Sequence, residues 1–123
     1  MSSYRERENG SLRVLFCLGV SQTFFDEEAG RLPELIPAIK EAFDDLHGRF
    51  GIDVLGTIDD DELMVGPSPG WPWTAYILAD APSLDAVVAV CNLVRETAVG
   101  PHRLWRYMRI EARVGRKLFF GNS

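Results

Sequence analysis

Two cysteines and two histidines are the only soft metal ligands besides three methionines in this 123-residue chain, and they lie far apart in sequence. Neither pair has zinc-site spacing, so a structural metal is not expected. Cys17 and Cys91 each sit in an apolar run, which reads as two buried free thiols in a reducing cytoplasm rather than a disulfide. Basic charge is also scarce. Thirteen Lys and Arg against 18 Asp and Glu leave a net charge of −5, which speaks against a nucleic-acid or anionic-membrane surface as partner. No apolar run approaches the ~18 residues a membrane helix needs. Residues 1–10 carry mixed charge without an apolar centre, unlike a secretory signal, and read as a short disordered lead before one domain over 11–123. A glycine-rich dinucleotide loop, a haem motif and an internal repeat are missing too, so no cofactor is expected.

What the chain does have is 46% hydrophobic residues in well-patterned segments, enough for an ordinary core. The first strand, Leu12 to Val20, is apolar on both faces, as for a strand covered on both sides. A helix follows through Leu35, Ile36, Ile39, Ala42, Phe43 and Leu46, with Pro33 and Pro37 near its start and Gly48 and Gly51 ending it. Ile52 to Ile58 reads as a second strand, with Leu63-Met64-Val65 as a short extension, and Thr74 to Ala79 as a third. Ser83 is an N-cap for a helix through Leu84, Val87, Val88, Cys91, Val94 and Ala98. The last strand is Leu104 to Val114, with Trp105, Tyr107, Arg109, Glu111 and Arg113 on its outward stripe.

The order β-α-β-β-α-β predicts an α+β, ferredoxin-like antiparallel sheet with both helices on one face. The apolar first strand predicts cover for the other face as well, supplied by a second copy in a homodimeric α/β barrel. Chain direction then gathers three connections at one end of the sheet: 21–26, 59–73 and 100–105. Most of the chemically distinctive side chains lie there, where a rigid scaffold holds loops.

Among them, Gly66-Pro67-Ser68-Pro69-Gly70 matches G-x-S-x-G in letters only, because a strand follows it instead of the helix of a nucleophile elbow. Trp71, Trp73, Trp105 and Phe24 read either as walls for a flat apolar ligand or as plugs of the core. Arg106, breaking an apolar strand face, calls for an anion: the carboxylate of a ligand or a protein acid, with Arg103 beside it. His102 is the candidate proton carrier, with Asp59 and Asp61 of the acidic turn as alternatives if one turns inward. His47 reads as a favourable charge at a helix C-terminus.

The segments Leu15 to Phe25, Val54 to Asp61, Met64 to Trp73, Arg103 to Tyr107 and Ile110 to Arg116 together resemble the small B-component proteins of bacterial indole-3-acetate catabolic clusters. The resemblance implies a cytoplasmic dimeric α/β barrel near an aromatic-degradation pathway, and supplies no catalytic residues. The function expected is cofactor-free binding of a small aromatic acid, with proton-transfer chemistry of the isomerase or lyase type. The alternative is a non-catalytic binding or accessory subunit serving a partner oxygenase.

Overall fold

The structure, a computed structural model, describes residues 11–20, 33–60, 65–66, 70 and 72–121. Strand β1 spans Leu12–Val20, and helix α1 covers residues 33–42. Next come α2, Leu46–Phe50, β2, Asp53–Asp59, and β3, Ala75–Ala81. Helices α3, Leu84–Cys91, and α4, Leu93–Glu96, lead to a small hairpin of β4, Ala98–Val99, and β5, His102–Arg103. A 3-10 turn over Leu104–Arg106 precedes β6, Met108–Gly115. The main sheet is antiparallel in the order β2-β3-β1-β6. That order is the ferredoxin-like βαββαβ arrangement expected, with the β4–β5 hairpin added.

The alternation along β1 decides how the layers stack. Leu12, Val14, Phe16 and Leu18 face the helices and join Leu35, Ala42, Leu46, Val87, Val90 and Leu93 in one core. The residues between them turn to the far face, where Cys17 is nonetheless buried. On that face Leu15 is only partly buried, and Ile58 and Leu78 on the neighbouring strands are exposed, so the cover that the composition of β1 calls for is incomplete within the described residues. Among the described residues no helix is long and apolar enough to cross a membrane.

Three elements depart from the pattern read in the sequence. The first helix is broken: after α1, Phe43–Asp45 turn, and Asp45 adopts a left-handed φ of 48° while its Oδ1 accepts from Gly48 N at 3.0 Å. Gly51, at φ 72°, then closes α2, a conformation that costs glycine little. The second helix stops at Glu96 after a turn at Asn92, so Ala98 belongs to the hairpin rather than to a helical stripe. The last strand begins four residues later than expected. Leu104 and Tyr107 are both fully buried, and Tyr107 N donates to Leu104 O at 2.9 Å. Residues three apart share one side in a 3-10 turn, whereas a strand would have sent them to opposite faces. Tyr107 thus leaves the outward stripe for the core.

Other readings stand as made. Ser83 caps α3, its Oγ accepting from Ala86 N at 3.2 Å. Both thiols are free, but only Cys17 is buried; Cys91 is partly exposed. His47 lies in the last turn of α2, where its Nδ1 also meets Asp53 Oδ1 at 2.7 Å. The N-terminal lead, the 63–64 extension, Phe24, Asp61, Ser68 and Trp71 lie outside the described residues.

Candidate functional site

β1 runs toward the end of the sheet where β3 and β6 begin, because Leu18 pairs with Ala75 and Val20 with Met108. The β4–β5 hairpin and the 3-10 turn that leads into β6 belong to the same end. The structure therefore places Trp73, His102, Arg103, Trp105 and Arg106 at one edge of the domain, as chain direction requires.

They do not form one cluster. Trp73 is a plug: it is 8% exposed, and its ring lies against Gly19, where a Cβ would sit 3.4 Å from the ring and clash with the Pro72 carbonyl. Thr74 N donates to Leu18 O at 2.8 Å, fixing that approach. Asp59 pairs with Ala75 on the edge strand β2, three strand spacings (roughly 14 Å) from β6. Its neighbour Asp60 accepts from Tyr76 Oη at 3.0 Å, a proton that Tyr76 also directs at Trp73 O, 3.2 Å away. Arg103 and Arg106 are exposed. Arg106 lies in the 3-10 turn, so the burial that seemed to demand an anion does not apply to it. His102 is half-buried, with its ring edge-on to Tyr107 at 6.3 Å between centroids.

Trp105 is the exception among the expected binding residues. It is 60% exposed and lines a groove of about 500 Å³ between the end of α3, α4 and the outer edge of β6. Val94, Met108 and Ile110 give the groove apolar walls, while Asn92, Arg95 and Arg109 supply polar and cationic groups. Cys91 lines it as well, and burial pushes that thiol's pKa up, so it is a neutral wall at ordinary pH. The volume falls in the usual range for small-molecule sites, roughly 300–1,000 Å³.

Sequence reasoning passed over Arg95 and Arg109. Arg95 sits between the apolar positions Val94 and Ala98 of the helix read in the sequence, and Arg109 is one more member of an outward stripe. The spacing Val94, Arg95 and then Trp105 to Ile110 becomes meaningful only once the hairpin folds α4 back beside β6. A larger groove, about 580 Å³ between α1, α2 and α4, is less suited to an acid. Its arginine, Arg49, already donates to the carbonyls of Ala42 and Asp44 at 2.8 Å each, and Glu41, Asp44 and Glu96 surround it. Among the described residues no three His, Cys, Asp or Glu side chains gather as a metal site.

No family model matches the chain, and no curated protein matches it. Two solved structures of proteins of unknown function are similar to it. A dimeric protein of ferredoxin-like fold from Bacteroides fragilis is 16% identical over 85% of this chain and 94% of its own, with a TM-score of 0.41. A protein from Rhodopseudomonas palustris is 14% identical over 94% of this chain and 91% of its own, with a TM-score of 0.38.

Proposed function

We propose that the protein binds a small aromatic carboxylate of the indole-acetate kind in the groove beside Trp105, without a cofactor. The observation that carries this reading is a largely exposed tryptophan set in an apolar-walled groove with Arg95 at its margin. A flat ring stacks on the indole, and the guanidinium takes the carboxylate in a bidentate, charge-assisted contact. The resemblance of the sequence to the indole-3-acetate cluster proteins supports the same ligand class. Should turnover accompany binding, His102 in the adjoining hairpin is the proton carrier of this proposal, because Asp59 stands on the opposite edge strand of the sheet.

Tryptophan fluorescence titrated with indole-3-acetate tests the reading, alongside a neutral analogue with a methyl ester in place of the acid. Saturable quenching by the acid, weakened for the ester and abolished in Trp105→Phe, is the expected result. Quenching that persists unchanged in Trp105→Phe would place the ligand elsewhere. Product analysis of the same mixtures separates a binding protein from an enzyme.

A further inference from the structure

Basic charge is scarce in the chain as a whole, yet it is concentrated near one end of the sequence. Residues 97–123 hold six of the 13 Lys and Arg, namely Arg103, Arg106, Arg109, Arg113, Arg116 and Lys117, against Glu111 as their one acid. The first 96 residues carry seven against 17 Asp and Glu. The fold turns this asymmetry into a stripe, because all six belong to β6 or to the segments that enter and leave it. All six are exposed. Among the described residues no carboxylate pairs with Arg103, Arg109, Arg116 or Lys117, and Glu111 is taken by Arg113, 2.6 Å away.

β6 is also an end strand of the sheet, and it pairs with β1 without a slip from Val20–Met108 to Arg13–Gly115. Its outer side offers backbone N–H and C=O groups that no described strand takes up. Side chains alternate across it. Met108, Ile110, Ala112 and Val114 continue the helix-side row of β1, while Arg109, Glu111 and Arg113 lie on the far face. The helix-side row opens along the strand, from buried Met108 through half-buried Ile110 and Ala112 to Val114 at 39% exposure. Charges on an edge strand commonly serve only to keep other strands away. Here the deterrent is selective, because a basic rim backed by an apolar row repels a basic strand and suits one of opposite character.

We infer that the outer edge of β6 receives an extended segment of a partner protein as a fifth strand, one in which acidic and apolar residues alternate. Its backbone pairs with that of β6, its carboxylates face Arg109 and Arg113, and its apolar side chains follow the row from Ile110 to Val114. A nucleic acid suits the edge less well. A phosphodiester backbone has no donors for the carbonyls of a strand, and the acids of the first 96 residues oppose a long polyanion. The start of β6 borders the Trp105 groove, but Arg113 and Val114 lie beyond its lining, so strand addition goes beyond ligand binding there and does not depend on it.

Fluorescence anisotropy with a labelled, end-blocked peptide of alternating glutamate and valine, EVEVEVE, tests the inference, together with amide exchange read by NMR. Saturable binding is expected, about tenfold or more weaker for the block peptide EEEEVVV, which has the same composition and charge without the alternation. Alternate amides of β6, those not bonded to β1, should gain protection from exchange when the peptide binds. Arg113→Glu should weaken the peptide about tenfold or more while leaving quenching by indole-3-acetate unchanged, which separates this edge from the groove. No saturable binding of EVEVEVE by wild type up to about 1 mM overturns the proposal. Equal affinity for the alternating and block peptides, or β6 amides that gain no protection, would reveal attraction by charge without an added strand and overturns it too. Tighter binding of a short oligothymidylate than of EVEVEVE would assign the stripe to nucleic acid instead.

Discussion

The Trp73 ring reaches to Gly19, in space that exists because β1 has no side chain at that position. Replacing Gly19 with Ala puts a Cβ onto the Pro72 carbonyl and against the ring, forcing the Trp73 connection away from the strand. Overpacking of this kind costs about 1–3 kcal/mol. Urea unfolding of Gly19→Ala should show a lower midpoint at an unchanged slope. An unshifted midpoint would mean that the connection yields freely and that Trp73 is not a plug.

Two tryptophans only thirty-odd residues apart should behave oppositely on truncation. Trp73→Ala removes a buried ring, a change worth about 3–5 kcal/mol in a core. Trp105→Ala removes a largely exposed one and should stay within about 0.5 kcal/mol of wild type. Thermal unfolding of the pair separates a packing role from a surface one. A strongly destabilised Trp105→Ala would count against a ligand wall.

Arg95→Gln keeps an unbranched polar side chain, though a shorter one, while removing its charge. A hydrogen-bonded charge is worth about 1.5–3 kcal/mol, or roughly a 10- to 100-fold loss of affinity for an aromatic acid. The ester analogue should bind Arg95→Gln and wild type alike. Equal losses for acid and ester would assign Arg95 to shaping the groove instead of reading the carboxylate.

Alkaline pH should reveal how far Cys17 and Cys91 are shielded. Burial pushes the Cys17 thiol above its ordinary value of 9.0, an effect that Glu111 reinforces and that the Arg113 charge and hydrogen bond oppose. Burial raises Cys91 as well. A thiol with a raised folded value stays protonated longer in the native chain than in the unfolded one. Its stabilising effect is therefore complete below pH 9.0 and is lost as pH rises through the folded value. Stability measured by denaturant between neutral and alkaline pH should fall less steeply above that point in Cys17→Ala/Cys91→Ala. Identical slopes in variant and wild type would show that neither thiol is shielded.

The ferredoxin-like order was legible because each long element announces itself locally: an apolar run in β1, Ser83 as a cap, and a three-to-four-residue stripe in α1. The arrival of Trp73 and Trp105 at one edge followed from chain direction alone. What sequence alone did not show was the stretch from Thr97 to Tyr107. There, Leu104 and Met108 fall on alternating positions like those of a strand, yet Arg106 between them is exposed and Tyr107 is buried with them. The hydrogen bond from Leu104 N to Thr97 O, 2.8 Å, anchors the turn across seven residues, a tertiary link that local pattern cannot carry. Because Arg95 gains its neighbours through that link, its place in the groove beside Arg109 was hidden with it.

The register of β2 has a consequence for how the chain behaves in a crowd. Between Val54 and Gly56 the pairing with β3 slips, leaving Leu55 without an opposite number. Such an irregularity twists an outermost strand away from the flat, regular course that a foreign strand needs to dock alongside it. Growth of the sheet by lateral addition is thereby discouraged on the β2 side, while its broad face stays open.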